Sequence, residues 1–226
     1  MSTAVIIVAA GAGSRFGADQ PKQFVPLCGR PVLMHTIDAF RRPMPEARII
    51  LVLSPEMEQL WRDMCRQNDF ESPDIVYGGE TRAHSVANAV LSLDSVPDVI
   101  MVHDGARPLV DPDMLARITE AIASEADAAG IIPVIPVTDT IRRVDALSSE
   151  VIARASLRAV QTPQAFRGQK LYDAYSSATA DGTLSNYTDD ASLMPPAGIR
   201  LCEGNPRNIK ITHPQDIATA EYLLTH

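Results

Sequence analysis

Ala4-Val5-Ile6-Ile7-Val8-Ala9-Ala10-Gly11-Ala12-Gly13-Ser14-Arg15-Phe16-Gly17 opens the chain with an apolar run that passes at once into a glycine-rich loop. A short continuous apolar run reads as a strand buried on both faces, the kind found in parallel sheets covered by helices. Glycines directly after such a strand let backbone N–H groups approach a phosphate. Two familiar templates fail here. A G-x-G-x-x-G dinucleotide fingerprint needs glycine where Phe16 stands, and a G-x-x-x-x-G-K P-loop starting at Gly11 breaks at the same position. What strengthens the loop is Arg15 inside it and Lys22 shortly after, in Pro21-Lys22-Gln23. Two cations placed there can converge on one polyphosphate.

Outward from this stretch, apolar runs alternate with amphipathic ones, the pattern of an α/β fold. Strands are expected at Ala4 to Ala9, Arg48 to Leu53, Asp74 to Tyr77, Val99 to His103 and Ala128 to Pro133. Helices are expected at Pro31 to Arg41, Pro55 to Gln67, Thr81 to Leu93 and Pro112 to Ala123, with Ser54 and Asp111 as N-caps before a first-turn proline. After Pro136 the rhythm changes, and Val137 to Ser156 reads as a protruding two-stranded arm. An isolated hairpin is marginal in water, so the arm is expected to pack against a second copy of the chain. A last strand at Ile199 to Glu203 and a helix from about Pro214 to Leu224 follow, the helix opened by Thr212 and Gln215 at capping-box spacing. No linker or repeat divides the 226 residues, so a single domain carrying an arm at about 137–157 is expected.

The composition narrows the function. The net charge is -8, with 28 acidic and 20 basic residues, which argues against a protein that grips a nucleic-acid backbone. Only three of the basic residues are Lys, at 22, 170 and 210, which makes Lys22 and Lys210 candidates for positions needing a compact ammonium. Three cysteines without CxxC spacing suggest neither a disulfide framework nor a zinc cluster and fit a reducing cytoplasm. The N-terminal apolar run lacks a basic leader, and no apolar stretch approaches the ~18 residues of a membrane span. The chain is expected to be cytoplasmic, without membrane or nucleic-acid partners. HExxH and G-x-S-x-G are also absent, against zinc or serine hydrolysis.

Four further stretches carry polar residues at junctions. Val99 to Val102 ends in His103-Asp104-Gly105-Ala106-Arg107-Pro108, which places Asp104 and Arg107 beyond the carboxyl end of a strand, where ligands of open parallel sheets sit. Asp104 is read as functional and His103 as a hydrogen-bonded core histidine. Gly78-Gly79-Glu80-Thr81-Arg82-Ala83-His84-Ser85 lies at another strand-to-helix junction, where paired glycines allow a flat ligand to approach the backbone. Gln161-Thr162-Pro163-Gln164 and Asn208-Ile209-Lys210-Ile211-Thr212 set polar side chains among apolar ones.

In this order, AAGAGSRFG with PKQF, GGETRAHSV, HDGARP, PVTDTI, QTPQAF, TDDAS and NIKIT make the chain resemble the 2-C-methyl-D-erythritol 4-phosphate cytidylyltransferases, from about Val5 to Leu224. The resemblance implies a Rossmann-like nucleotidyltransferase fold with a mostly parallel sheet, a homodimer with exchanged arms, and reaction of CTP with the sugar-alcohol phosphate to give a CDP-alcohol and pyrophosphate. It implies Arg15 and Lys22 as transition-state stabilisers, and Arg154, reaching in from a partner's arm, with Lys210 to hold the acceptor phosphate. Ala10, Gly11, Ala12 and Gly13 would hold the triphosphate, and Gly79, Glu80 and Ser85 the cytidine. Asp104, Arg107, Thr140, Thr162 and Thr188 would bind the acceptor. Magnesium is implied with CTP, without an assigned protein ligand. The chain ends at His226 without a second domain, which the resemblance reads as a stand-alone form.

Two residues depart from the family pattern. Arg158 stands in place of a tryptophan in the arm, and Gly105 in place of a frequent alanine, which is expected to loosen the loop beside Asp104. Ribitol 5-phosphate cytidylyltransferases share the fold and the phosphate loop and are the nearest alternative; a NAD-dependent dehydrogenase and a non-catalytic nucleotide-binding protein are more distant ones.

Overall fold

The computed structural model describes residues 1–11 and 21–226. Its strands are β1 (Thr3–Val8), β2 (Pro26–Leu27), β3 (Arg30–Pro31), β4 (Arg48–Leu53), β5 (Asp74–Tyr77), β6 (Val99–Asp104), β7 (Gly130–Pro136), β8 (Ile141–Val144), β9 (Ser149–Ile152), β10 (Arg158–Val160), β11 (Gln164–Arg167) and β12 (Ile199–Glu203). The α-helices are α1 (Val32–Arg41), α2 (Glu58–Gln67), α3 (Arg82–Leu91), α4 (Pro112–Ser124), α5 (Gly168–Ala180) and α6 (Gln215–Thr225). Eight strands form one sheet in the order β10-β7-β11-β6-β1-β4-β5, with β12 paired to β7. β1 runs parallel to β4 and β6, β4 to β5, and β12 to β7. β11 enters antiparallel between β6 and β7, and β10 runs antiparallel along β7. The expected α/β architecture with a mostly parallel sheet is what the chain builds.

The period-2 geometry of β1 divides the core. Val5 and Ile7 face one apolar layer with Leu33, Ile37 and Phe40 of α1, Trp61 of α2 and Met114 and Ile118 of α4. Ile6 faces the opposite layer with Val86 and Val90 of α3, Phe166, and Leu171 and Tyr175 of α5. Helices thus cover both faces of the sheet. A smaller cluster, Leu27, Val32, Ala106, Ile211 and Ala220, ties α6 to the loop after β6.

Several element ends differ from expectation. β6 extends one residue further, through Asp104, and the strand expected at Ala128 starts at Gly130 and runs to Pro136. The segment after Ser54 begins with a 3-10 turn at Pro55–Met57, and Ser54 makes no capping bond from its side chain; Asp111 does cap α4, its carboxylate accepting from Met114 N at 2.7 Å. Gln164–Arg167 forms a strand that the sequence pattern did not disclose, because four residues after a proline carry no readable periodicity. The arm is present as the antiparallel β8–β9 pair, and it exposes Val144, Leu147 and Val151. Among the described residues no helix is long and apolar enough to cross a membrane.

The capping box expected of Thr212 and Gln215 is replaced by a different device. Asp216, in the first turn of α6, reaches back and accepts from both Thr212 N and His213 N at 2.7 Å. Burial would raise the Asp216 carboxyl, but these bonds, with His213 and Lys22 nearby, hold it below the usual carboxylate range. One carboxylate serves two donors, so a hydroxyl cap is redundant. Asp216→Ala is expected to lower stability by about 1 kcal/mol, read as the urea midpoint at unchanged slope, whereas Gln215→Ala leaves it within a few tenths. Equal effects from the two substitutions would restore the capping-box reading.

Candidate active site

Three strands deliver their carboxyl ends to one cleft of about 560 Å³, lined by residues from Val8 to Gly11, Lys22 and Gln23, Gly79 to Arg82, Ser85, Asp104 to Ala106, Lys210 and Thr212. β1 supplies Ala9-Ala10-Gly11. This backbone is held from outside the strand: Ala9 N donates to Val52 O at 2.8 Å, and the buried Gln23 donates through Nε2 to Ala9 O at 2.7 Å and to Gly11 O at 3.2 Å. Lys22 opens the 3-10 turn Lys22–Phe24 that carries Gln23, so one short turn fixes the loop and presents a cation to the cleft.

β5 runs into Gly78-Gly79, and a Cβ on Gly78 would collide with Ala10 and with Ser85 Oγ. Only glycine lets this turn lie against the first loop. Ser85 Oγ accepts from Gly79 N at 3.1 Å, and Thr81 caps α3 by accepting from His84 N. The two loops therefore pack directly against each other along one side of the cleft.

β6 supplies the opposite wall. Asp104 Oδ2 lies 2.9 Å from Lys210 Nζ and 3.4 Å from Arg107 Nε, while Oδ1 lies 3.4 Å from Arg82 Nε. Burial would push this carboxyl up, but Arg82, Lys210 and Arg107 together outweigh it and hold it well below the carboxylate range. Arg82 is shared: its Nη2 lies 2.8 Å from Asp190, a fully buried carboxylate that also accepts from the Tyr175 hydroxyl at 2.6 Å. Burial would lower the Arg82 guanidinium, yet Asp190 and Asp104 raise it beyond its ordinary value. The Tyr175 hydroxyl is pushed well up by burial and by Asp190. Gly105 does not loosen this wall. A Cβ there would meet Ala9 Cβ at 2.9 Å and Val8 O at 3.0 Å, so the loop is tightly seated.

Beneath Asp104 sits a relay of neutral bonds. His103 is fully buried, with Nε2 3.0 Å from Arg107 O and Nδ1 3.0 Å from Thr162 Oγ1. The carbonyl can only accept, so Nε2 carries the proton, Thr162 donates to Nδ1, and Thr162 Oγ1 accepts from Asp104 N at 3.1 Å. Arg107 also donates to Asn208 O at 2.8 Å, and Asn208 to Thr162 O at 2.8 Å. Ile211 N donates to Ala106 O. The Lys210 segment is thereby stitched to the end of β6.

A family sequence model described as 2-C-methyl-D-erythritol 4-phosphate cytidylyltransferase matches residues 3–226. The chain belongs to this family. A cytidylyltransferase of that name from Bacteroides thetaiotaomicron is 42% identical over 227 residues, covering 99% of this chain and 100% of its own. The crystal structure of the Francisella tularensis cytidylyltransferase is 28% identical, with a TM-score of 0.81 over 99% of this chain and 100% of that one. The Thermus thermophilus cytidylyltransferase structure is 31% identical, with a TM-score of 0.75 and 98% coverage of both chains.

Of the cytidylyltransferase residues expected from the sequence, Ala10, Gly11, Lys22, Gly79, Glu80, Ser85, Asp104 and Lys210 line the cleft. Ala12, Gly13 and Arg15 lie outside the described residues. Arg107 is engaged by Asp104 and Asn208 O behind the wall. Thr162 is buried with its hydroxyl occupied by His103 and Asp104 N, which makes it a support for Asp104 rather than a hydroxyl open to a ligand. Arg154 and Thr140 are exposed at the arm, Arg154 donating to Thr138 O at 2.6 Å, and Thr188 is exposed too; none of the three lines the cleft of this single chain. Arg158 starts β10, where it pairs with Pro136 at the sheet edge. Sequence reasoning missed Arg82 and Gln23. The signal for Arg82 was its place at the start of a helix after paired glycines, and for Gln23 its place beside Lys22.

His103 gives this cytidylyltransferase a pH signature. Burial outweighs the carbonyl bond and pushes the imidazole down to about 4. The unfolded chain therefore binds one more proton than the folded one between pH 6.5 and about 4. Stability is full above pH 6.5 and declines as pH falls, by on the order of 3 kcal/mol from this group. Urea unfolding from pH 7 to 4 should show this decline, and His103→Gln should flatten it whatever its baseline; an identical slope in both proteins would refute the assignment.

Proposed function

We propose that the chain transfers a cytidylyl group from CTP to 2-C-methyl-D-erythritol 4-phosphate, giving 4-diphosphocytidyl-2-C-methyl-D-erythritol and pyrophosphate for isoprenoid biosynthesis. The observation that carries this reading is the meeting, in one cleft, of glycine-bearing loops and Lys22 with a carboxylate wall bearing Asp104 and Lys210. Dehydrogenase and scaffold readings account for neither side.

In this reading the backbone from Ala10 to Gly13 holds the triphosphate, and Gly79, Glu80 and Ser85 hold the cytidine. Asp104, ionised at all working pH values, accepts from acceptor hydroxyls. An oxygen of the acceptor phosphate attacks the α-phosphorus. A new P–O bond forms as the α–β bond breaks, and pyrophosphate leaves with the bonding pair. The acceptor phosphate has a second pKa of about 6, so it is already largely dianionic at pH 7 and no general base is required. His103 could not be one, since both ring nitrogens are occupied and burial disfavours the protonated form it would have to take up. Catalysis reduces to positioning and to stabilising extra charge at the α-phosphate, the role assigned to Arg15 and Lys22.

The described residues do not fit a protein cage for magnesium. No three His, Cys, Asp or Glu side chains among them come together, and Asp104 is already faced by three cations. Magnesium is read as travelling on the phosphates of CTP, the usual arrangement for this ion, and no step is drawn through it.

The arm supplies the second half of the proposal. Arg154 does not line the cleft of its own chain and follows β9, at the base of the arm that exposes Val144, Leu147 and Val151. We read the chain as one catalytic domain whose arm, at about 137–157, exchanges in a homodimer and carries Arg154 and Thr140 to the partner's acceptor site. The three free cysteines accord with a cytoplasmic setting.

Pyrophosphate release from CTP and magnesium should require methylerythritol 4-phosphate and stay at background with ribitol 5-phosphate or no acceptor; preference for ribitol 5-phosphate would overturn the acceptor. Lys22→Ala should reduce turnover by about 10² to 10³-fold. Mixing Lys22→Ala with Arg154→Ala chains should recover about a quarter of wild-type activity, because half of the dimers are hybrids and half of their sites are intact. No recovery on mixing would place Arg154 outside the partner's site.

A further inference from the structure

Arg82 carries a role that neither the loop motifs nor the expected site residues assign. It is the first residue of α3, lines the cleft, and is the contact between Asp104 and a second, fully buried carboxylate, Asp190. Asp190 is itself keyed by the Tyr175 hydroxyl of α5. Its neighbour Asp189 accepts from Gln164 Nε2 of β11 and from Ser192 N. A continuous line of contacts therefore runs from α5 and β11, through the loop before Ala191, to α3 and the end of β6.

The division of labour at Asp104 points to orientation. Lys210 and Arg107 both address Oδ2, and Arg82 alone among the described residues addresses Oδ1. A carboxylate held through one oxygen can still turn about its Cβ–Cγ bond, whereas one held through both cannot. The planar guanidinium fork can bond two carboxylates in two directions at once, which a lysine ammonium on a flexible stem does with far less geometric control. We propose that Arg82, anchored by Asp190 and Tyr175, is a positioning residue that fixes the plane of the Asp104 carboxylate for acceptor recognition. This rests on the reading of Asp104 as the group that accepts from acceptor hydroxyls. Misplacement of a recognition group by even about 1 Å is enough to affect turnover and binding strongly.

The test is steady-state kinetics on the full chain with CTP and methylerythritol 4-phosphate, alongside thermal melting, for Arg82→Gln, Arg82→Lys, Tyr175→Phe and Asp104→Asn. Arg82→Gln should raise the KM for the acceptor by about tenfold or more, the equivalent of one charge-assisted hydrogen bond, with the KM for CTP changed by less than about twofold. Arg82→Lys, which restores charge without the fork, should give an intermediate rise. Tyr175→Phe leaves Arg82 in place and should shift the acceptor KM in the same direction by less, which keeps the decision available where Arg82→Gln does not fold. An unchanged acceptor KM in the folded Arg82 variants, or acceptor and CTP KM values rising together, overturns the proposal. Asp104→Asn separates the two layers of inference. A raised acceptor KM there with none in the Arg82 and Tyr175 variants rejects Arg82 alone, and an unchanged one rejects the reading of Asp104 and this proposal with it.

Discussion

A buried carboxylate shared among three cations holds one side of this molecule's cleft together. Asp104 is met by Arg82, Arg107 and Lys210, and each partner arrives from a different part of the chain: a helix start, the loop after β6, and the segment before α6. A buried ion so surrounded is costly unless its partners are held in place. The structure meets that demand with a second layer of bonds, Asp190 and Tyr175 behind Arg82, Asn208 behind Arg107, and Thr162 and His103 under the Asp104 amide. The fold at this end of the sheet is in effect a frame for one carboxylate.

Charge is distributed accordingly. The chain as a whole carries -8, yet Asp104 and Asp190 together face Arg82, Arg107 and Lys210, which leaves one positive charge in excess on that wall, while Lys22 and Glu80 of the cleft lining offset each other. Polyanions are therefore drawn to a local field and repelled by the surface around it, a contrast that favours entry at the cleft over adsorption elsewhere.

Much of this was legible in the sequence. The apolar runs of β1, β4 and β6 and the glycines at Gly11, Gly78 and Gly79 mark the strands and the loops between them, because burial on both faces and close backbone approach restrict residue choice strongly. Asp104 stood out because it follows a buried strand, and Lys22 and Lys210 because lysine is scarce among the basic residues. Other features were hidden for physical reasons. β11 is four residues long and its antiparallel return depends on partners remote in sequence. Arg82 reads as an ordinary first-turn residue until Asp190, 108 positions away, is seen beside it. The Thr162 hydroxyl looked available for a ligand, and only its two bonding partners show otherwise. Arg154 and Thr140 could be placed at the arm by sequence, but a single chain does not bring them to the cleft.

The stitching of Lys210 to the end of β6 bears on how the molecule comes into being. The central strands β1, β4, β5 and β6 are all encoded in the first 104 residues, and they can pair while the rest of the chain is still being synthesised, as domains fold during elongation. The ammonium that faces Asp104, and the Ile211-to-Ala106 bond that seats it, come from residues 210 and 211, more than a hundred positions later. A nascent chain on the ribosome thus has its sheet centre early and its carboxylate wall incomplete until the segment at 210 and 211 follows. Until Lys210 emerges, Asp104 lacks its nearest cation, so the sheet precedes the completed cleft in synthesis.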